Sequence, residues 1–508
     1  MGRMLAGAVS VAVQGIEAVI VEVEVDIVKG LPGFTIVGLP DSTIKEARER
    51  IRSAVENSGF EFPPKNFVVN LAPAGFRKQG ANFDLPIAMA ILATTGQIDC
   101  DYSSIPMVGE LSLDGRIKPV RGAIAMAIGL YRAGYRRVIV PFDNRCEAAA
   151  IEGIEVYPAR TIREAIGICG GGCAPFAGTG EQRPPRRYHH DFGDVRGQET
   201  AKRALEIAAA GHHNVLLYGP PGSGKTMLAK RLPSLLPEIT REQAIVTTMI
   251  HSVGGTLPPG SGLILSPPFR SPHHTASDVA LVGGGRLPSV GEVSLAHNGV
   301  LFLDEFVEFP GNVLQALRQP LEDCEITVSR ASGSATYPAD FMLVAASNPC
   351  QCGYLFDPEI PCKCSPLKVE GYFRKIAGPI LDRIDIEVLV PRVPCRDLLD
   401  NARSESSADI RERVDRARDI QRKRFAGGRT VYNSRMTNDE IKEHCAVDPE
   451  SERIFESAVK TMNLSARSFF RVLKVARTIA DLAGSPSISK GHLLEALSYK
   501  NLQRHYDV

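Results

Sequence analysis

Hydrophobic and polar residues alternate along the first part of the chain with the two-residue period of a β-strand. The clearest run is Val21-Glu22-Val23-Glu24-Val25-Asp26. Apolar residues then recur every three or four positions from Ser42 to Asn57, which predicts a helix. The predicted strands are Ala18–Asp26, Phe34–Val37, Asn66–Asn70 and Arg137–Val140. We therefore expect residues 1–168 to form a domain of α/β or α+β class.

The middle of the chain carries short, wholly apolar runs, which are typical of buried parallel strands. The runs within Asn214–Tyr218, Gly299–Leu303 and Phe341–Ala346 are each followed by glycine-rich or polar residues. The candidate functional residues thus lie at strand ends, where an α/β sheet binds its ligands. The segment Glu325–Tyr337 predicts a β-hairpin. Residues 191–395 are expected to form an α/β domain around a parallel sheet.

The last part of the chain, residues 396–508, shows helical spacing or helix caps throughout. The predicted helices are Asp409–Phe425, Asn438–Cys445, Pro449–Met462, Ser465–Leu482 and Ser489–Leu497. Glycines followed by prolines and charges in residues 169–190 predict a linker between the first two domains.

Composition narrows the class of protein. A chain of 508 residues with 44% hydrophobic and 23% charged residues is typical of a soluble protein of about three domains. No apolar run approaches the ~18 residues of a membrane span. The net charge of +1 requires any binding of nucleic acid to use local basic patches. Eleven cysteines without an export signal favour free thiols in the cytoplasm.

A glycine-rich loop between a strand and a helix is the most specific motif. It consists of Gly219, Pro220, Pro221, Gly222, Ser223, Gly224, Lys225 and Thr226. Glycines allow backbone N–H groups to approach a phosphate closely, and the following helix adds its positive dipole end. Lys225 is suited to the outer phosphates and Thr226 to Mg²⁺. The motif predicts binding of ATP with Mg²⁺.

Two further strand ends carry candidate catalytic groups. Asp304 and Glu305 follow one apolar run; the first is suited to hold Mg²⁺ and the second to polarise the attacking water. Asn348 follows the next run, where its amide could orient that water beside the γ-phosphate. An ordinary turn before Pro349 is the alternative for the asparagine.

Four cysteines form two C-x-C pairs separated by nine residues. They are Cys350, Cys352, Cys362 and Cys364. Four thiolates can enclose a tetrahedral structural Zn²⁺, although the spacing within each pair is tighter than in common zinc motifs. Four reduced thiols in a loop are the alternative.

The chain resembles the AAA+ ATPases in Asp194–Gln198, the glycine-rich loop, Val300–Glu305 and Asn348. The segments Ser271–Ser277, Gly291–Gly299 and Gly378–Asp385 resemble the magnesium chelatase-like family, and Gly30–Phe34 with Asn70–Ala74 resembles its competence protein ComM, or YifB, branch. The resemblance covers nearly the whole chain. It implies a hexameric, DNA-translocating ATPase that acts as a helicase, in the sense of a branch-migration motor, with a helical lid formed by residues 396–508.

The resemblance also implies roles for arginines. Arg383 would be the arginine finger that reaches the γ-phosphate of a neighbouring subunit, unless it forms a surface ion pair with Asp382 or Asp385. Arg467 would be the sensor that couples the lid to the nucleotide, with Arg471 as the second candidate. A solvated helix face is the alternative for both lid arginines. Asp194–Gln198 would flank the adenine.

Two insertions are candidates for contact with single-stranded or branched DNA. The segment Gly254–Asn298 is too long for a plain connection, and loops of this length are usually functional. The hairpin resembles elements that line the pore of ring-shaped relatives. The basic residues of the two insertions are Arg270, His273, His274, Arg286 and Arg330. Packing without DNA contact is the alternative. A basic stretch, Arg422-Lys423-Arg424, ends a segment that we interpret mainly as an ion-paired helix.

The first domain resembles the proteolytic domain of Lon-type proteases, through Gly109–Arg116 and Tyr131–Tyr135. In such a domain the serine nucleophile would fall at Asn82 and the lysine base at Ile124, and neither residue can do that chemistry. Three classes of function therefore compete. A DNA-translocating ATPase is favoured over a magnesium chelatase-type motor that remodels a protein, and over an ATP-dependent protease.

Overall fold

The computed structural model describes most of the chain. The described residues are 6–178, 190–285, 289–330, 333–376, 380–394, 404–428, 430–462, 464–500, 502 and 506. Of the sequence-based candidates, Arg286 and the pair Gly378-Pro379 lie outside these residues, as do residues 179–189 of the predicted linker and the side chain of Arg330.

A four-stranded sheet organises the N-terminal part of the chain. Its strands are β1 (Ala6–Gln14), β2 (Glu17–Val28), β3 (Gly33–Val37) and β4 (Asn66–Ala72). They lie in the order β1-β2-β4-β3, and β3 pairs with β4 in parallel while the other pairs are antiparallel. Val21, Val23 and Val25 are fully buried. The alternation in the sequence therefore places the valines in the core.

Helices and short strands complete this part. They are α1 (Ser42–Lys45), α2 (Ala47–Asn57), α3 (Asp84–Thr94), β5 (Glu110–Leu111), β6 (Ile117–Lys118), α4 (Ala123–Arg132), β7 (Arg137–Pro141), α5 (Arg145–Ala148), β8 (Glu155–Ala159) and α6 (Ile162–Cys169). The predicted helix Ser42–Asn57 is divided between α1 and α2, and the Asp41 carboxylate caps α1 by accepting from Ile44 N at 2.9 Å. Apart from Ala93, α3 is buried along its length, so its sequence shows no helical stripe.

A five-stranded parallel sheet forms the central part and has the order β10-β11-β14-β9-β15. Its elements in chain order are α7 (Glu199–Gly211), β9 (Val215–Tyr218), α8 (Lys225–Arg231), α9 (Arg241–Val253), β10 (Phe269–Arg270), α10 (Asp278–Val282), α11 (Glu292–Leu295), β11 (Val300–Leu303), α12 (Gly311–Ala316), α13 (Arg318–Asp323), β12 (Glu325–Arg330), β13 (Gly333–Pro338), β14 (Met342–Ser347), α14 (Pro366–Ile376) and β15 (Ile386–Leu389). The predicted hairpin is the antiparallel pair of β12 and β13. Because the sheet strands are parallel, all their carboxyl ends meet at one edge.

Among the described residues, five α-helices follow the sheet. They are α15 (Ser407–Arg424), α16 (Asn438–His444), α17 (Pro449–Thr461), α18 (Ala466–Leu482) and α19 (Lys490–Ser498). These bounds agree closely with the predicted ones, since serine, threonine or aspartate caps each N-terminus. The helices share a hydrophobic core with α7 and one face of the sheet. Among the described residues, no helix is long and apolar enough to cross a bilayer.

The N-terminal part contacts the central part through buried polar groups. Ser252 of α9 donates to Glu147 at 2.6 Å and accepts from Gly122 N at 2.9 Å. Arg241 donates to Ala150 O at 2.9 Å. Burial raises the pKa of Glu147, while its hydrogen bonds from Ser252 and Asn144 oppose that shift. The polar contacts fix α9 against the N-terminal part, because a buried polar group left without a partner would destabilise the fold.

Candidate nucleotide site

The glycine-rich loop follows β9 directly and leads into α8. Gly222 and Gly224 have φ angles of 75° and 93°, values that favour glycine. A Cβ on Gly219 would lie 2.1 Å from Val390 O, so a side chain cannot fit there. The loop therefore wraps closely against the end of the sheet and leads into the N-terminus of α8, where the helix dipole favours an anion.

Lys225 lies inside the loop, where it donates to the carbonyl oxygens of Gly219 at 2.7 Å and Pro220 at 2.9 Å. It also lies 3.2 Å from Asn348 Oδ1. Burial lowers the pKa of Lys225 to about 8, although the Asp304 carboxylate opposes the shift. A phosphate in the cradle would replace these neutral acceptors by charged ones, which form stronger hydrogen bonds.

Thr226 and Asp304 meet at the same edge of the sheet. The hydroxyl of Thr226 donates to Asp304 Oδ2 at 2.8 Å. Asp304 directly follows β11, and Thr226 is the second residue of α8. A hydroxyl and a carboxylate at this spacing provide the oxygen ligands that Mg²⁺ prefers. The two residues predicted to hold Mg²⁺ thus fit that ion.

Glu305 is exposed and has the backbone conformation of a strained site. Its φ of 52° lies in the left-handed region, which is uncommon for residues other than glycine. Its carboxylate Oε2 lies 2.9 Å from His274 Nδ1, and His274 belongs to the Gly254–Asn298 insertion. The sequence makes His274 a candidate for DNA contact and carries no signal for its pairing with Glu305.

Asn348 follows β14, next to β11 and β9 in the sheet. Its Oδ1 faces Lys225. The chain then turns so that Gly353 lies against Pro221, where a Cβ would be 2.7 Å from the proline ring. The structure therefore brings the loop, Asp304, Glu305 and Asn348 to one edge of one sheet.

The four cysteines converge directly after Asn348. Their sulfur atoms all lie within 4.8 Å of one another. Three of the separations are 3.4, 3.6 and 3.5 Å, for the pairs 350–352, 350–362 and 352–362. Four sulfurs around a Zn²⁺ at about 2.3 Å would be about 3.8 Å apart. The cluster is compatible with zinc.

The cysteine loop also contacts the end of the chain. Tyr506 donates a hydrogen bond to Pro349 O, and its ring stacks on Phe373 with centroids 4.4 Å apart. Phe356, within the loop, packs edge-on against Tyr218 at 6.1 Å. The cysteine loop thus joins the strand before the phosphate loop to the C-terminal residues.

Arg383 lies at the opposite edge of the sheet from the phosphate loop. Its carbonyl accepts from Asn214 Nδ2 at 2.9 Å, and Asn214 precedes β9, whereas the phosphate loop follows β9. The guanidinium is buried and pairs with Glu322 of α13. Arg383 is therefore separated from its own phosphate loop by the length of a strand.

Of the two predicted lid arginines, Arg471 lies at that same edge. Arg471 of α18 forms an ion pair with Asp385 and donates to Arg383 O at 3.2 Å. Arg467 is exposed, one helical turn before Arg471. Its role stays a prediction.

The far edge is densely paired. Asp385 is buried between Arg471, His213 and Asn214 N. Burial opposes ionisation of Asp385, but Arg471, His213 and the Asn214 N–H hold its pKa well below its usual range. His213 is fully buried, and burial lowers its pKa, although Asp385 opposes the shift. Helix α18 is thus anchored to the sheet by an ion pair whose carboxylate is buried.

The two insertions lie beside the N-terminal part. A cavity of about 970 Å³, here called the interdomain groove, is lined on one side by Gln14, Asn82 and Arg121. Its other side includes Ser289 and Val290 of the long insertion and Ser334 and Tyr337 of the hairpin. The structure therefore brings the two insertions to one groove.

The basic candidates outside the groove are largely ion-paired. Arg270 forms a two-point pair with Glu292 at 2.6 and 2.7 Å. On α15, Arg422 pairs with Asp419 and Arg424 with Asp481. These contacts agree with the interpretation of α15 as an ion-paired helix.

The Lon-like positions have no proteolytic arrangement. Asn82 is buried and donates to Val11 O at 2.6 Å, and Ile124 is fully buried in α4. Lys78, four residues before Asn82, is also fully buried and donates to Pro73 O. Burial lowers the pKa of Lys78. The Lon-like assignment itself stays a prediction.

The strand order and the loop define an AAA+ nucleotide-binding core of α/β class. Comparison with known proteins agrees along the chain. Residues 191–398 match the family described as magnesium chelatase, subunit ChlI; residues 23–144 match subunit ChlI of Mg-chelatase, and residues 404–500 match the ChlI C-terminal region.

Individual relatives extend over nearly the full length. The chain is 43% identical over 495 residues to uncharacterized protein YifB of Escherichia coli, covering 97% of this chain and 96% of YifB. It is 42% identical over 501 residues to competence protein ComM of Haemophilus influenzae, covering 97% of both chains. A magnesium-chelatase 67 kDa subunit of Chlorobaculum parvum is 28% identical over 162 residues, 31% of this chain and 23% of that protein. The chain belongs to the magnesium chelatase-like family of AAA+ ATPases, in the branch of YifB and ComM.

Proposed function

We propose that the protein is a DNA-translocating ATPase that works as a ring of identical subunits, and that it promotes branch migration of DNA. The observation that carries this proposal is the full-length likeness to competence protein ComM, which extends over the N-terminal part and both insertions. Competence is the uptake of DNA, so the natural substrate is single-stranded or branched DNA.

We assign ATP binding and hydrolysis to residues at the carboxyl edge of the sheet. The loop N–H groups and Lys225 would hold the phosphates, and Thr226 with Asp304 would hold Mg²⁺, which supplies charge neutralisation when bound. Glu305 would accept the proton of the attacking water, and Asn348 would orient that water. A cavity of about 410 Å³ beside the loop, lined by Gln198, Pro391 and Tyr499 among others, would take the adenine base.

A complete site requires two subunits. Arg383 lies at the far edge of the sheet, beyond reach of its own phosphate loop. We propose that it leaves Glu322 and contacts the γ-phosphate held by the neighbouring subunit, as an arginine finger does. Because α18 is fixed at the same edge by Arg471, we propose that Arg467 also acts on the neighbour's nucleotide. A hexamer is the ring that the resemblance implies.

The DNA contacts are assigned to the interdomain groove and the hairpin. Their basic groups, Arg121 in the groove and Arg330 at the end of β12, would contact phosphates without reading sequence. Replacing Arg330 by alanine should weaken DNA binding and reduce its dependence on salt by about one phosphate contact. Basal ATPase should persist, since Arg330 lies outside the phosphate loop.

The test is ATPase activity with no DNA, single-stranded DNA and a branched junction, together with strand displacement on the junction. Stimulation by DNA and ATP-dependent branch movement support the proposal. Activity that DNA does not change, in a protein that hydrolyses ATP, would contradict it and favour a motor that remodels a protein partner. That second function is supported by the magnesium-chelatase subunit that matches part of the chain.

We also propose that Cys350, Cys352, Cys362 and Cys364 bind a structural Zn²⁺. The bound ion would hold the cysteine loop against Pro221 and Asn348, and so would stabilise the nucleotide site. Metal analysis of the purified chain should give about one zinc per chain. Cys352→Ser should lose the zinc, whereas Cys173→Ser, at an exposed cysteine outside the cluster, should retain it. A parent chain purified without zinc that also fails to take it up would contradict the proposal.

A further inference from the structure

The residues that follow α19 lie on the other face of the central sheet from the C-terminal helices. Val215 of β9 belongs to the hydrophobic core that α15–α19 share with α7. The next residue, Leu216, points to the opposite face because side chains alternate along a strand. Leu216 belongs to a second core, which contains Leu502 and against which Tyr506 packs. The chain after α19 therefore contacts the face of the sheet that these helices do not cover.

The C-terminal segment, defined here as Lys500, Leu502 and Tyr506, is held first by β15. Lys500 donates to Ile384 O at 2.7 Å and forms a buried ion pair with Glu387 at 2.6 Å. Leu502 is fully buried, and its N–H donates to the Glu387 carboxylate at 3.2 Å. One carboxylate of β15 thus accepts two hydrogen bonds from the segment. Because a buried charge that loses its partner is strongly destabilising, these contacts fix the segment on the sheet.

Tyr506 joins the C-terminal segment to the turn that follows β14. Its hydroxyl donates to Pro349 O, and its ring stacks on Phe373 of α14 with centroids 4.4 Å apart. Phe356 packs edge-on against the same ring at 5.5 Å. Aromatic contacts of these two geometries are the favourable ones for such rings. The Tyr506 ring is thus held by two aromatic neighbours, and its hydroxyl is directed at one carbonyl group.

The turn that accepts this hydrogen bond carries the candidate catalytic asparagine. Pro349 directly follows Asn348 and has no N–H group with which to continue the pairing of the strand. The two successive carbonyl groups accept from side-chain hydroxyls instead: Ser347 donates to Asn348 O at 2.9 Å, and Tyr506 donates to Pro349 O. Asn348 Oδ1 lies 3.2 Å from Lys225 Nζ. A shift of the turn would therefore move the Asn348 amide relative to the phosphate loop.

We propose that Tyr506 is a positioning residue for ATP hydrolysis, which acts through Pro349 to hold the Asn348 amide beside Lys225. A misplacement of about 1 Å caused by a residue remote from the chemistry can slow a reaction about 10²-fold. The segment after α19 thereby couples the C-terminal helices to the hydrolysis step. The inference rests on the proposed role of Asn348 in orienting the attacking water, and it does not depend on DNA.

The test is steady-state ATP hydrolysis by the full-length Tyr506→Phe variant, which keeps the ring and removes only the hydroxyl. Without DNA, kcat should fall about fivefold, which corresponds to the net contribution of one hydrogen bond, and KM for ATP should be unchanged. The matched control is Tyr157→Phe, which removes a hydroxyl that donates to Glu155 at 3.0 Å in the N-terminal part. This control should keep the parent values of kcat and KM.

A double-mutant cycle with Asn348→Ala, measured by single-turnover hydrolysis, separates positioning from a general loss of structure. If Tyr506 acts through Asn348, Tyr506→Phe should cause no further decrease in rate once the amide is absent. A further fivefold decrease in the double variant would overturn the inference. A parent rate for Tyr506→Phe beside a slow Asn348→Ala would overturn the inference alone. A parent rate for Asn348→Ala would instead contradict the proposed role of Asn348, and the inference would fail with it.

Discussion

The central sheet has a carboxyl edge, where its parallel strands end, and an amino edge, where they begin. The polar groups at these two edges differ in burial and pairing. At the carboxyl edge, Glu305 is more than half exposed and Lys225 donates to neutral carbonyl groups. At the amino edge, Asp385 and His213 are buried and paired. A buried charge must be fully paired, whereas a binding site must leave groups free for its ligand. The groups of the carboxyl edge are thus available to a ligand, whereas the paired groups of the amino edge hold α18 against the sheet.

The largest effect is expected from substitutions that remove the catalytic or phosphate-binding group at the carboxyl edge. Glu305→Gln should bind ATP at the parent affinity and hydrolyse it about 10³-fold more slowly, because an amide cannot accept the proton. Lys225→Ala should instead lose tight ATP binding. Filter binding and phosphate release distinguish the two variants. Hydrolysis by Glu305→Gln at the parent rate would show that this carboxylate is not the base.

The next effect tests whether the amino edge of one subunit completes the carboxyl edge of another. Arg383→Ala should bind ATP but lose hydrolysis by a factor on the order of 10³. Mixing it with Glu305→Gln should restore part of the activity, because some interfaces then combine an intact Arg383 with an intact Glu305. If the composition of the mixed rings is verified by mass measurement and activity does not recover, Arg383 acts on the nucleotide of its own subunit.

A smaller effect tests the anchoring role of the amino edge. Asp385→Ala leaves Arg471 and His213 without their buried partner, and should reduce the free energy of unfolding by about 3 kcal/mol. Asp304→Ala, the same substitution at the carboxyl edge, should have little effect on stability without nucleotide. Thermal or denaturant unfolding followed by circular dichroism measures both. Equal losses would remove the contrast between the edges.

The smallest effect is the dependence of ATP binding on pH. The protonated lysine binds phosphate, and the pKa of Lys225 is lowered to about 8 by burial. Binding is therefore strongest below pH 8 and is lost as the pH rises through that value, by about tenfold at pH 9. Titration calorimetry from pH 7 to 9 measures it, with Lys225→Arg as the control that does not titrate. A flat profile in the parent chain would contradict the assignment.

Much of the carboxyl edge could be predicted because its motifs are local. A strand, a glycine-rich loop and a helix are contiguous in the sequence, and Asp304, Glu305 and Asn348 each follow an apolar run. The C-terminal helices were also predicted closely, since their caps and spacing are short-range signals. By contrast, α3 shows no helical stripe, because it is buried on nearly all sides.

The contacts at the amino edge and in the insertions could not be predicted from the sequence in the same way. Asp385, His213 and Arg471 lie far apart in the sequence, and their pairing follows from the parallel order of the strands and the docking of α18. The pairing of His274 with Glu305 and the interdomain groove also depend on contacts between segments that lie far apart in the sequence.

The sequence by itself determined the parallel core, the glycine-rich loop and which side chains follow the apolar strands. These features depend on local periodicity, on glycine conformation and on the chemistry of single side chains. The tertiary structure decided at which edge Arg383 and Arg471 lie, which residue pairs with Glu305 and where the four thiols converge. These depend on contacts between distant segments, whose geometry is fixed by packing and by the pairing of buried charges.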